Sequence, residues 1–377
     1  MKHLALLLVA CGGVACGGGR PAPAPDPVPQ GVVVETTREL AVGPGNIAMT
    51  VARGVRTAPP TDASRMILSL HQFYEPQHPV VEVHGTTMTP FPDPATYAAS
   101  GAPPLNSVLG IRADERGVIW MLDNAMRGGK LRQLVGWNAD ANKLEAAIDL
   151  TAVTPDNAFL NDLAVDRTHG AIYIADPAGG KNAALIVVDL ATGGARRVLE
   201  GHASVIPNER DLVIDGTPVE IKQPDGTLFR PHVGINPIAL DARDEWLYFG
   251  PMHGDKLHRI RTADLRDPTV MLAARVEAYA DRPITDGISI DSAGNIYLGD
   301  LANNAIGVIG SDRRYRELAR GPELSWVDAF SFGPDGNYHV VANQLHRSAF
   351  LHAGVDATQP PFRILRFKPL APGRVGR

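Results

Sequence analysis

Apolar and polar positions alternate in short runs along most of this chain, and one arrangement of them returns five times. Each copy starts with small or polar residues, enters an apolar strand, turns at Asp or Gly, and leaves through a second, β-branched and aromatic strand. The copies are Leu109–Asn124, Leu160–Asp176, Gly234–Gly250, Thr285–Asp300 and Trp326–Asn343. In the fourth, Ile288 and Ile290 alternate, Asp291 to Asn295 turn, and Ile296, Tyr297 and Leu298 return, the pattern of a β-hairpin. Two strands cannot bury a face alone, so the copies must be parts of larger sheets. Outer strands are available between them at Leu131–Asn138, Ala184–Leu199, Lys256–Thr262, Ala305–Gly310 and Arg363–Pro369.

The turn-entry aspartates fall at 114, 166, 241 and 291. Two of those intervals are close to the forty to fifty residues of a four-stranded propeller blade. The longer one holds Gly201 to Pro231, rich in Pro, Gly and charge, which reads as an insertion. A sixth, degenerate copy fits upstream, with strands near Gly45 and from Arg65 to Tyr74 around a Pro-containing loop. Helical periodicity is hard to find. These patterns predict an all-β, six-bladed β-propeller as a single domain over 31–377.

The first thirty residues follow other rules. Met1-Lys2-His3 is a short basic start, Leu4 to Val9 an apolar run too short to span a bilayer, and small residues precede Cys11 and Cys16. Residues 1–16 are therefore expected to be an export signal. Either Cys11 or Cys16 is the candidate for lipidation, the alternative being cleavage that discards both. Residues 17–30, full of Gly, Pro and Ala, would form a tether. The expectation is an exported protein, anchored in a bacterial envelope or extracellular, that meets a membrane only through its lipid.

Composition narrows the chemistry. The chain has 377 residues and only two cysteines, both in the leader, so the folded body has neither disulfides nor a cysteine nucleophile. A net charge of −5 without a basic stripe argues against nucleic acid as a partner. No G-x-S-x-G, H-E-x-x-H, phosphate-binding Gly loop or dinucleotide fingerprint occurs, which disfavours those chemistries. A small-molecule ligand and a monomeric state are expected.

Taken in order, Asn161-Asp162 with Asp166, Tyr173 to Asp176, Val187 to Leu199, Thr285 to Ile288, Trp326 to Asp328 and Ala342 to His346 resemble the Yellow and major royal jelly protein family from about Pro44 to Lys368. The resemblance implies a secreted six-bladed propeller. Its insect members include proteins linked to dopachrome conversion and others that bind small amines. They usually carry cysteines in the propeller body, and this chain has none there. A more distant similarity to gluconolactonase and senescence-marker propellers rests on Asn161-Asp162, Asn236 and Asp286 before inner strands. It implies Asn236 and Asp286 as ligands of a divalent cation, calcium or zinc, with Asn161 or Asp162 reaching substrate. Against it, Asn106 to Gly110 offers no counterpart of the lactonases' ligating Glu.

Asp166, Asp241 and Asp291 are expected to serve the turns through side-chain bonds to nearby amides. Candidate ligand-binding residues are Asn161, Asp162, His232, Asn236, Asp286, Trp326, Asp328 and Asn343, and candidate catalytic groups are Asp286, Asp328 and His346. His253 also lies beside a repeat. His71, His78 and His84 fit no common zinc spacing. Trp326 and Phe330 are read as pocket wall or core. Two functions remain in view: a binding protein whose acidic and aromatic residues hold an amine or aromatic molecule, and a proton-moving enzyme of tautomerase or metal-dependent lactonase type. A protein-interaction scaffold has no specific residue in its favour.

Overall fold

Six four-stranded antiparallel sheets form in the computed structural model, which describes residues 31–51, 64–85 and 87–377. Residues 1–30, where an export signal and a tether are expected, lie outside the described residues, and so do both cysteines. The innermost strands of blades 1 to 6 are Pro44–Val51, Val108–Ala113, Leu163–Asp166, Ile235–Leu240, Ile288–Ile290 and Val327–Phe332. Inner strands of successive blades touch one another, and Pro44–Val51 also meets Val327–Phe332, so the ring closes. Closure is made by pairing across the chain's length: Val34–Leu40 lies antiparallel to Phe362–Phe367 as the outer strand of blade 6. The stretch from Val32 to Thr36 thus contributes to the last blade.

Second strands are hydrophobic throughout because each is packed on both faces by neighbouring blades. Every residue of Val118–Asp123 is buried. Trp120, Trp137, Tyr173, Phe249, Tyr297, Tyr338 and Phe367 fill the wedges between blades. Phe330 belongs to this core, fully buried against Tyr338 and Phe367. The turn aspartates are structural. Asp114 accepts from the amides of Arg116 and Val118 and from the Trp120 indole; Asp241 accepts from the amides of Glu245 and Trp246; Asp291 accepts from those of Ala293 and Asn295.

Just before the core of four inner strands the register slips, between Pro44 and Ile47, Val108 and Ile111, Ile235 and Ile238, and Val327 and Phe330. The extra residues turn side chains into the channel, as bulges do. Counting back two positions from Ile47, Ile111, Leu163, Ile238, Ile288 and Phe330 gives Gly45, Leu109, Asn161, Asn236, Asp286 and Asp328. Glycine follows in blade 5 because blade 6 is so near: a Cβ on Gly287 would stand 1.7 Å from the Asp328 carbonyl oxygen. The insertion forms two short hairpins, Val213–Ile214 with Thr217–Pro218 and Ile221–Lys222 with Leu228–Phe229. Leu212, Ile214 and Val219 pack it onto Trp326, Leu345 and Leu351. It therefore roofs one side of the channel mouth at which the bulges lie.

A candidate ligand site at one mouth of the channel

The two channel mouths differ in chemistry. At the mouth formed by the hairpin turns, a cavity of about 710 Å³ is lined by Arg112, Asp114, Arg374 and Arg377. Its Arg374 and Arg377 pair with Asp244 at 3.0 and 2.6 Å, so much of its charge is already matched. At the bulge mouth, a cavity of about 640 Å³ has Asn161, Asn236, Asp286 and Asp328 as its polar floor and Phe73, Met126, Met252, Trp326, Leu345 and Phe350 among its walls. A mostly apolar hollow with a few convergent polar groups is the usual form of a small-molecule site.

The floor is a chain of hydrogen bonds. Asn161 donates to Asn236, and Asn236 donates to Asp286. The other oxygen of Asp286 accepts from the Trp326 indole at 2.7 Å. Asp328 accepts from Asn343 at 2.6 Å, and the same amide donates to the Pro44 carbonyl at 3.1 Å. The Asn343 carbonyl in turn accepts from Tyr74 at 2.6 Å. Burial pushes the Asp286 carboxyl up to about 7, against the two donors that hold it, with the charge of Asp162 adding to the rise. Asp328 is raised well above the ordinary carboxyl range by burial and then by Asp286 beside it. Among the described residues no arginine donates to either, and the charge of Arg112 only partly opposes the rise in Asp328. Two crowded carboxyls with no bonded counter-ion retain a proton or attract a positively charged group.

Asp162 has a different position. Below the floor, Arg112 of blade 2 crosses the channel to Asp162 at 3.2 Å and to the carbonyls of Phe330 and Leu163 at 2.7 and 3.3 Å. Asp162 also accepts from Asn46 at 3.3 Å. Burial still raises its pKa, although Arg112 opposes the rise. Arg112 thus ties three blades and separates the bulge-side floor from the opposite mouth.

Trp326 has φ +58°, in the left-handed region that bulky residues avoid. The fully enclosed side chain pays for that conformation by packing against His346, whose ring lies nearly parallel at 5.9 Å, and by its bond to Asp286. His346 backs Trp326 and is not part of the cavity lining. Burial lowers its pKa to about 4. His232 is at the rim, bonded to Asp211 at 2.9 Å and near Glu209 at 3.5 Å. Of the three clustered histidines, His71 is buried and lines the cavity, whereas His84 is exposed beside Glu82. Among the described residues no group of three or more His, Cys, Asp or Glu is placed to hold a metal ion.

Asn236 and Asp286 do meet, but as arranged they do not fit a divalent metal ion. Both Asp286 oxygens face N–H donors, the Asn236 oxygen accepts from Asn161, and blades 1 and 2 bring only Gly45 and Leu109 to the matching positions. Hard cations take six to eight oxygens.

Sequence reasoning missed Asn46, Tyr74 and Arg112. Asn46 was open to detection, because Gly45-Asn46 aligns with Asn161-Asp162 in the repeat; Arg112 carries no comparable signal, since its partners are two blades' backbone carbonyls and Asp162.

Fold and floor together define a six-bladed propeller with a ligand-type cavity at one end of its channel. Solved structures share the architecture. A regucalcin from Agrobacterium tumefaciens, a calcium-binding protein, superposes with a TM-score of 0.55 at 12% identity, over 92% of this chain and 98% of that one. A luciferin-regenerating enzyme does so at 0.51 and 14%, over 92% and 98%. Likeness at these identities speaks for the fold. No curated protein matches the sequence significantly. The profile of the major royal jelly protein family matches residues 106–370, and the chain belongs to that family.

Proposed function

We propose that this protein binds a small aromatic or amine molecule in the bulge-side cavity, over the Asp286 and Asp328 carboxyls and against Trp326. The observation that carries this reading is the pairing of two buried carboxyls, neither hydrogen-bonded to a basic group among the described residues, with an apolar and aromatic wall. An ammonium group would supply the missing positive charge, and an attached ring would replace water on Phe73, Met252 and Phe350. Proton transfer to or from the ligand by the same carboxyls, giving an isomerase or tautomerase, extends the proposal, since a carboxyl titrating near neutrality is suited to that task. Export, and a lipid tether at Cys11 or Cys16, belong to it on the strength of the leader sequence.

A thermal-shift screen of aromatic amines and quinones against the wild type and Asp286→Asn/Asp328→Asn tests the reading. It predicts ligands that raise the wild-type midpoint and fail to raise that of the double variant. Equal shifts in both proteins would remove the carboxyls from the site.

A further inference from the structure

Apolar side chains lead from the channel floor to the outside of the molecule. Trp326, whose indole donates to Asp286, shares one buried cluster with Met252 and Leu345, and Phe73 packs against that cluster. The Phe73 ring in turn meets that of Phe350, with centroids 4.1 Å apart. Phe350 is no longer buried. It is 46% exposed, and two further cavity-lining side chains, Met126 at 49% and Phe229 at 51%, are open to the same degree. The three come from separate places in the chain. Met126 follows the second strand of blade 2, Phe229 ends the second hairpin of the insertion, and Phe350 follows the second strand of blade 6. The cavity wall thus ends in a rim of large apolar side chains that the fold leaves in water. Single exposed apolar residues are ordinary, but several around one cavity mark a binding surface. The space inside agrees with a ligand that reaches this rim: about 640 Å³ has room for about twenty waters at about 30 Å³ each, more than a one-ring amine displaces.

We propose that the ligand is an amphiphilic amine, with its ammonium at the Asp286 and Asp328 floor and an apolar tail long enough to cover Met126, Phe229 and Phe350. This rests on the amine reading of the same cavity and adds the length and polarity of the rest of the molecule. The floor fixes one end, because its two carboxyls accept only from Asn236, Trp326 and Asn343 among the described residues and have no bonded cation. The rim fixes the other. A polar group at the end of the tail would lose its water against these side chains without gaining a partner, so the tail is apolar where it meets them.

The test titrates butylamine, hexylamine and octylamine into the full chain by calorimetry at pH 8. Affinity should rise about fourfold per added methylene, the increment for taking one CH₂ out of water. The octylamine-to-butylamine ratio is the readout, since within one protein the floor contributes equally to both. In Phe229→Ser that ratio should fall about fourfold, one methylene's worth of contact, whereas Phe229→Leu should keep it. Both variants should unfold at the wild-type temperature, because the side chain they change is half exposed, and a lower ratio is then not a sign of misfolding. If 2-phenylethylamine binds but affinity does not grow from butylamine to octylamine, or grows equally in Phe229→Ser, the proposal fails and the amine reading survives. Octan-1-ol binding as tightly as octylamine would remove the ammonium from the floor, and both would fail. A dimer in sedimentation equilibrium that Phe229→Ser dissociates would assign the rim to a second copy and overturn the proposal as well.

Discussion

Replacing Asp286 by Asn isolates the cost of an ionised carboxyl in the channel floor. The side chain keeps its shape, and one oxygen can still accept from Trp326, but the bond from Asn236 must be lost or reversed. That change costs about 1 kcal/mol. The charge works in the opposite direction. A carboxyl raised from its ordinary value to about 7 holds its proton better in the folded than in the unfolded protein. Between about pH 4 and pH 7 the folded state therefore binds more protons, and stability falls as pH rises. Below that window there is no penalty. Above it the full penalty applies, on the order of 4 kcal/mol at 1.36 kcal/mol per pKa unit. Asp286→Asn should thus be slightly less stable than wild type at pH 4 and more stable by about 2–3 kcal/mol at pH 8, after subtracting the lost bond. Urea unfolding at the two pH values measures this as a reversal in the order of midpoints. Midpoints that differ by the same amount at both would refute the reasoning, because Asp286 would then titrate as a solvated carboxyl.

Other expectations follow from the same geometry. Arg112→Met leaves Asp162 buried without its guanidinium and should lower stability by about 3–5 kcal/mol at pH 7, read by urea unfolding, with much of the loss recovered in Arg112→Met/Asp162→Asn. Trp326→Phe removes the indole donor from Asp286 and should raise that carboxyl's pKa further, seen by ¹³C NMR titration as a midpoint moved to higher pH. Elemental analysis of protein purified without chelators should find no stoichiometric calcium or zinc; a full equivalent lost on Asp286→Asn would bring metal-dependent lactone hydrolysis to the front.

The blades were legible because each hairpin announces itself locally. Asp291 to Asn295 bond their own amides, and Ile296 to Leu298 can only be a buried strand, so periodicity and turn chemistry agree. Closure was less visible: Val34 pairs with Phe367 across the whole length of the chain, and nothing local distinguishes that partner. At the site, the repeat identified Asn161, Asn236, Asp286 and Asp328 because they share one place before an inner strand. What surrounds them comes from loops with no period. The conformation of Trp326 and the stacking of His346 behind it depend on six sheets closing into a ring. The same holds for Asn343, which lies in the last blade yet holds Asp328 and the Pro44 carbonyl of the first.

Calorimetric titration of 2-phenylethylamine into the wild type and into Asp328→Asn tests the central claim most directly. The account predicts saturable one-site binding to the wild type at pH 8, and affinity at least tenfold weaker in the variant, the equivalent of about 1.4 kcal/mol. Binding that is absent from the wild type, or unchanged when Asp328 loses its carboxyl, would contradict it.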